Sequence, residues 1–233
     1  MTVLAGEAVK REEGTGWPGA SRGVLRLGAW SAGGSAFFYV AFDVVAILEL
    51  SGVLSSPFWR SVLSYAPSIF LALTFLAMAA VIHGVSRPES RVWTHVGVCL
   101  ACMYATINCF IYIIQVLIVA PSMLNGGFEA VALFEMAPGK PLIAANALAY
   151  TLMGLSTLFL AAAFKGGGRL EKVTRGVLLA HGVISPTVVG VLLWPPLLSI
   201  SAFVGILYPW AAIMIAVLFR NAHRRMAGIA GAQ

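Results

Sequence analysis

Charged residues are scarce in this sequence. Asp, Glu, Lys and Arg make up only 10% of the 233 residues, whereas hydrophobic residues make up 60%. An ordinary soluble domain carries about 25% charged residues, so the composition excludes that class. The apolar residues fall into blocks of about 20 or more, the length at which a helix crosses about 30 Å of hydrocarbon.

Alternating segments of about 10 residues, which a transmembrane β-barrel requires, are also missing. Backbone groups inside lipid must be hydrogen-bonded within the protein, and long apolar blocks satisfy this as helices. We therefore predict an all-α fold: a polytopic transmembrane bundle of six helices joined by short loops.

Cysteines are few, and the familiar catalytic motifs are absent. Three cysteines give no sign of a disulfide framework. His95, Cys99 and Cys102 share one face of a predicted helix, a spacing that can ligate a metal, but no second His/Cys pair matches them. Because the sequence contains no Walker, HExxH, GxSxG or paired acidic motif either, we predict no metal and no cofactor.

The N-terminal segment has no apolar run after its charges and no lipidation motif, so we expect neither a signal peptide nor a lipid anchor. We predict a disordered or surface-lying cytoplasmic tail at residues 1–30 and a six-helix transmembrane domain at residues 31–220. A short basic cytoplasmic tail follows at residues 221–233. The six predicted spans cover residues 33–54, 58–83, 92–120, 141–164, 175–194 and 198–219.

Basic residues are distributed unevenly about these spans. Thirteen of the fifteen Lys and Arg residues lie on the side of the two termini, and only Arg60 and Lys140 lie on the other. The positive-inside rule then predicts a multi-pass protein of the inner (plasma) membrane with both termini in the cytoplasm. Since the basic residues flank apolar blocks, the net charge of +6 indicates contact with the bilayer and no nucleic-acid partner. A homo-oligomer or a larger membrane complex stays open.

The outer connection between the third and fourth spans, residues 121–140, is the longest. Phe128, Val131, Ala132 and Glu135 recur there at helical spacing. Two alternatives remain open: a short helix on the outer surface and an irregular loop.

Two carboxylates interrupt the first predicted span. Asp43 lies near its middle, where a charge costs about 2.5–3.5 kcal/mol on insertion scales, and such residues usually face the bundle interior. Glu49 lies six residues further on, about 240° around the helix, so the two cannot act as a pair from one face.

Other polar residues form stripes on later spans. In the third predicted span, four of them lie within about 80° of one another. One face of the fourth span carries two more, and the fifth and sixth spans carry one each. The candidate ligand-binding residues are Asp43, Glu49, Tyr104, Asn108, Tyr112, Gln115, Asn146, Tyr150, His181 and Tyr208. We expect Asp43 to lie near His181 on the inner side, and Glu49 to lie near Asn108 and Asn146 on the outer side.

The ordered segments "FYVAFDVVAIL", "PFWRSVLSY", "NCFIYIIQVLIVAPSMLNG", "ALFEMAPGKPLIAANALAY" and "GGRLEK" resemble a family of uncharacterised prokaryotic integral membrane proteins, a domain of unknown function. The resemblance covers about residues 37–219. It implies a six-helix bundle and supplies no catalytic residues.

Three functions are compatible with the pattern. The first is binding or translocation of a small or amphiphilic molecule in an internal polar pocket. The second is a membrane enzyme acting on a lipid or isoprenoid, which needs two of Asp43, Glu49 and His181 at a common void. The third is an accessory subunit of a membrane complex, which predicts small residues such as Gly182 and Gly190 left unpacked.

Overall fold

Six helices in the computed structural model are long and apolar enough to cross a membrane. The structure describes residue 17 and residues 20–166 and 168–230, and no strand occurs in these parts of the chain. The six spans are Arg22–Leu50, Pro57–Gly84, Pro88–Leu124, Pro141–Ala163, Arg169–Gly190 and Pro195–Gly228. The predicted all-α class and the number of spans are thus confirmed.

The spans form a closed ring in which each helix packs against its neighbours in sequence. The first packs on the second, the second on the third, the third on the fourth, and the fourth and sixth on the fifth. The sixth span also packs along the first and closes the ring. Short connections favour antiparallel neighbours, which is why sequence order and spatial order coincide.

The first and the last helix of the chain extend further than hydropathy predicts. The first helix begins at Arg22, where the Ser21 hydroxyl accepts a hydrogen bond from the Val24 N–H at 3.3 Å, and the last runs on to Ala230. Both predicted domain boundaries, at residues 31 and 220, therefore fall inside helices. Hydropathy locates only the apolar part of a helix, and the helix itself continues until it is capped. Residues 1–16, most of the predicted N-terminal tail, lie outside the described part.

Two spans, the third and the fifth, are interrupted within their length, and the fourth ends in a different type of helix. The third span is helical over Arg91–Ile114, passes through a π-helical turn at Gln115–Val119 and continues as Ala120–Leu124. The fifth breaks between Arg169–Ile184 and Pro186–Gly190, because Pro186 has no N–H to donate. The fourth comprises Pro141–Leu160 and a closing 3₁₀ turn at Ala161–Ala163.

The connection between the third and fourth spans, which the sequence analysis placed on the outer side, contains the short helix that helical spacing suggested. It covers Phe128–Val131 and is followed by a 3₁₀ turn at Ala132–Phe134. The residues predicted to share a face are partly buried there, whereas their neighbours Glu129 and Leu133 are exposed. Of the two alternatives, the helix is the correct one.

Candidate functional site

The tyrosines lie inside the helix ring, whereas most of the tryptophans lie on its exposed surface. The chain has six tyrosines, and all of them take part in one network inside the bundle, which consists of ring contacts and of the hydrogen bond between the Tyr112 and Tyr150 hydroxyl groups. Its members are Tyr39, Tyr65, Tyr104, Tyr112, Tyr150 and Tyr208. Five of the six tryptophans are instead exposed on the outside: Trp30, Trp59, Trp93, Trp194 and Trp210. The interior of the bundle therefore carries aromatic rings with hydroxyl groups. The exposed surface instead carries tryptophans, whose rings are apolar apart from one N–H group.

The centre of this network joins four of the six spans. The rings of Tyr39 and Tyr208 are 5.0 Å apart, and those of Tyr104 and Tyr150 are 5.9 Å apart. An edge-to-face contact of 6.5 Å between Tyr39 and Tyr150 connects the two pairs. Aromatic pairs at these distances and angles stabilise a packed core, so the four rings hold one another in place.

Toward the end of the bundle opposite the termini, hydroxyl groups connect the third and fourth spans. The Tyr112 hydroxyl lies 2.8 Å from Asn146 Oδ1, to which it donates, and 3.2 Å from the Tyr150 hydroxyl. Tyr65 stacks on Tyr112 at 5.4 Å. Gln115, at the π-helical turn, donates to the Phe134 carbonyl of the outer connection at 2.5 Å. Gln115 thus binds the connection between the third and fourth spans and does not face the tyrosine network.

His181 is fully buried at the meeting point of the fourth, fifth and sixth spans. The Thr157 hydroxyl oxygen lies 2.7 Å from the Gly154 carbonyl oxygen and 2.8 Å from His181 Nδ1. The other ring nitrogen, Nε2, takes no part in this contact. The ring also lies 5.5 Å from that of Tyr208, whose hydroxyl is hydrogen-bonded to Ser35.

Several buried polar atoms in this region meet no hydrogen-bond partner in the described part of the chain. They are the Tyr104 hydroxyl, both polar atoms of the Asn108 amide, and His181 Nε2. A buried polar group without a partner costs about 1–3 kcal/mol, and a membrane interior offers no bulk water to relieve this cost. Such atoms are the expected contacts for internal water or for polar groups of a ligand.

Asp43 lies at the seam between the first and sixth spans. It is half-buried and makes no hydrogen bond or ion pair with any described residue. A Cβ atom at Gly205 of the sixth span would lie 3.9 Å from Asp43 Oδ1 and 4.0 Å from the Tyr39 hydroxyl. The absent side chain of Gly205 therefore leaves space beside both polar groups.

Two residues of this seam escaped the sequence analysis. Tyr39 precedes Asp43 by four residues and so shares its helix face, a signal that helical spacing supplied. Gly205 gave no such signal, because nothing in a single sequence tells which glycine of the sixth span faces a carboxylate.

The contacts that the structure records for the two carboxylates are with other residues than those predicted to lie near them. Asp43 Oδ1 lies 3.9 Å from a Cβ atom placed at Gly205, beside the Tyr39 hydroxyl, whereas His181 Nδ1 lies 2.8 Å from Thr157 Oγ1. Glu49 forms an ion pair with Arg60 at 3.2 Å, and both side chains are more than 40% exposed. It lies near the end of its helix, next to the connection that leads to Arg60.

Three further residues, Gly182, Cys99 and Cys102, were considered in the sequence for roles other than ligand binding. Gly182 is not left unpacked, since a Cβ atom there would lie 2.9 Å from the Gly154 carbonyl of the fourth span. Cys99 and Cys102 are exposed on the outside of the third span. No cluster of three or more His, Cys, Asp or Glu residues with metal-binding geometry occurs in the described ranges.

Comparisons with known proteins assign no family. The chain matches no family model, no curated protein and no solved structure. The resemblance to a prokaryotic membrane family stays a prediction.

Proposed function

We propose that this multi-pass membrane protein binds a small amphiphilic molecule, with a positively charged group, at Asp43 and the adjoining tyrosine network. The observation that carries the proposal is the carboxylate of Asp43: half-buried in a membrane span, beside Gly205, and without a hydrogen bond or ion pair to any described residue. Ionisable residues within membrane spans are costly and usually serve a ligand or ion.

A cation is the ligand chemistry that this seam fits best. Asp43 supplies negative charge, and Tyr39, which lies beside Gly205 together with Asp43, supplies an aromatic ring. Aromatic faces attract cations within about 6 Å of the ring centre, and more strongly where water is excluded. The unpartnered polar atoms of Tyr104 and Asn108 lie further inside and would bind the polar groups of the same ligand.

An amphiphile would reach this site from the bilayer. Phe203 and Ile206, on either side of Gly205, are exposed on the lipid-facing surface, and Gly205 itself is partly exposed. A molecule with an apolar body could therefore remain in lipid while its charged group contacts Asp43. Translocation would also require an opening toward the other side of the membrane, so we propose binding and not translocation.

The alternative of a membrane enzyme receives no support from the contacts. It requires two of Asp43, Glu49 and His181 at one void, but each has different neighbours. Asp43 lies beside Tyr39, Glu49 pairs with Arg60, and His181 binds Thr157. The alternative of an accessory subunit predicted small residues left unpacked, but a Cβ atom at Gly182 would lie 2.9 Å from the Gly154 carbonyl and one at Gly190 would lie 2.8 Å from Leu197 Cδ1.

The excess of Lys and Arg beside the termini supports a plasma-membrane orientation with both termini in the cytoplasm. Alkaline phosphatase fused at either terminus should then be inactive, and the same enzyme inserted at residues 125–127 should be active. An active fusion at a terminus would contradict this orientation.

Binding of tetraphenylphosphonium, a lipophilic cation, to the purified protein in detergent micelles tests the proposed ligand class. Asp43→Asn should weaken binding about 10- to 100-fold, the loss expected for a hydrogen bond or ion pair with a charged group. Glu49→Gln is the matched control, because it removes the same charge from the same helix and should leave the affinity unchanged. Neutral triphenylphosphine oxide should bind the wild-type protein far more weakly.

Gly205 offers a second, steric pair of variants. Gly205→Ala places its Cβ at ordinary contact distance from Asp43 and Tyr39, so it should retain binding, whereas Gly205→Leu should fill the space and abolish it. The proposal is refuted if the wild-type protein does not prefer the cation, or if Asp43→Asn binds it as well as Glu49→Gln does.

A further inference from the structure

A second groove, separate from Asp43, follows the seam between the first and sixth spans in the half of the bundle that carries the termini. It has a volume of about 920 Å³ and is lined by residues from Arg26 to Phe38 on one helix and from Ile213 to His223 on the other. One end of it is basic and the remainder is apolar. Nothing in the internal tyrosine network accounts for it.

The basic end contains Arg26, Arg220 and His223. Neither arginine forms an ion pair with a described residue, in contrast to Arg60 on the other side of the membrane. His223 Nδ1 is buried without a hydrogen-bond partner in the described part of the chain. Two arginines and a histidine thus line one end of the groove, and no carboxylate of the described residues lines it with them.

The apolar part continues from this end toward the middle of the bundle. Trp30 and Phe37 project from the first span and are 71% and 67% exposed. Gly33 lies between them, and a Cβ atom there would meet nothing within 4 Å, so the floor of the groove is open. Val217 forms part of the opposite wall.

The length of the groove corresponds to one leaflet. Arg26 and Phe37 are eleven residues apart, or about 16 Å along the helix. Half of a hydrocarbon core of about 30 Å is nearly the same distance. A molecule with an anionic group at the basic end would therefore place an acyl chain along the apolar part, parallel to its neighbours in the membrane.

We propose that this groove binds an anionic phospholipid of the leaflet next to the termini, with the phosphate between Arg26 and Arg220 and an acyl chain over Gly33. Charge complementarity selects a lipid over a second copy of this chain, which would bring further basic residues to the same place. Basic pockets between membrane helices bind anionic headgroups in this way. The proposal is independent of the ligand at Asp43.

Native mass spectrometry of the full-length protein, released from detergent with equal amounts of phosphatidylglycerol and phosphatidylcholine, tests the headgroup. The wild-type protein should retain phosphatidylglycerol about 10- to 30-fold more strongly, as expected for two arginines near an anionic group. The Arg26→Gln/Arg220→Gln double variant should lose this preference. The control, Arg87→Gln/Arg91→Gln, removes the same charge on the same side of the bundle, outside the groove, and should keep it.

Gly33→Phe tests the acyl-chain part without changing any charge. Its side chain should occupy the groove and reduce retention of both lipids, whereas Gly176→Phe, at an equally open glycine of the fifth span, should not. Monodisperse elution shows that each variant is folded. Equal retention of the two lipids by the wild-type protein, equal losses in the two double variants, or a dimer that Gly33→Phe dissolves while lipid retention persists would each overturn the proposal.

Discussion

Replacing Gly182 with alanine measures how closely the fifth span packs against the fourth. The added Cβ atom would lie 2.5 Å from Leu158 Cβ and 2.9 Å from both Leu158 Cα and the Gly154 carbonyl oxygen. Carbon atoms pack best about 3.5–4.0 Å apart, so the two helices would have to separate by about 1 Å. Two of the three contacts are with backbone atoms, which cannot rotate away. Overpacking of this kind costs about 1–3 kcal/mol.

The same helix provides a matched control at Gly176. A Cβ atom there meets nothing within 4 Å, and the residue is exposed. Alanine stabilises a helix relative to glycine by roughly 0.5–1 kcal/mol, so Gly176→Ala should be neutral or slightly stabilising. The gain in helix propensity is the same in the two alanine variants and cancels, so they should differ by the overpacking cost alone, about 1–3 kcal/mol in the free energy of unfolding.

Equilibrium unfolding in mixed micelles of mild detergent and sodium dodecyl sulfate, followed by tryptophan fluorescence, gives this difference directly. Thermal unfolding should agree, with a shift of about 2–4 °C per kcal/mol for a chain of this size. If Gly182→Ala is as stable as Gly176→Ala, the fourth and fifth spans are not in backbone contact at this point. The position assigned to His181 would then also fail, since it lies one residue from Gly182.

Three further substitutions test the polar contacts by their free energy of unfolding. Tyr112→Phe removes two hydrogen bonds to the fourth span and should cost about 1–2 kcal/mol, and an unchanged stability would contradict these bonds. Thr157→Val leaves His181 Nδ1 without its partner and should cost about 1–3 kcal/mol, whereas Thr157→Ser, which keeps the hydroxyl, should cost less. Glu49→Gln breaks only an exposed ion pair with Arg60 and should cost at most about 1 kcal/mol, less at high salt; a larger loss would mean that the pair is buried.

Hydropathy located every membrane span because the cost of exposing backbone polar groups to lipid dominates all other local preferences. The ends were less accurate: the first helix begins eleven residues before the predicted start at residue 33, and the last continues eleven residues past residue 219. Amphipathic turns beyond the membrane are not apolar, so a hydropathy window does not register them. Arg22 donates to the Met226 carbonyl at 2.9 Å and joins these two extensions, a contact between residues 204 positions apart.

The candidate site was predicted in part. The stripe of the third span does face the interior, where Tyr112 contacts Asn146 and Tyr150 of the fourth. The pairing of Asp43 with His181 stays a prediction, since depth along a helix says nothing about which helices are neighbours.

Composition and periodicity alone determined that the chain forms six membrane-crossing helices and turns most of its polar side chains inward, because both follow from local interactions with lipid. The tertiary structure decided which polar residues meet. Helices of similar hydropathy can be ordered around a ring in several ways, and only close contacts such as that of Gly182 with the fourth span select one. For the same reason, the space at Gly205 and the groove beside Arg26 exist only once the first and sixth spans have closed the ring.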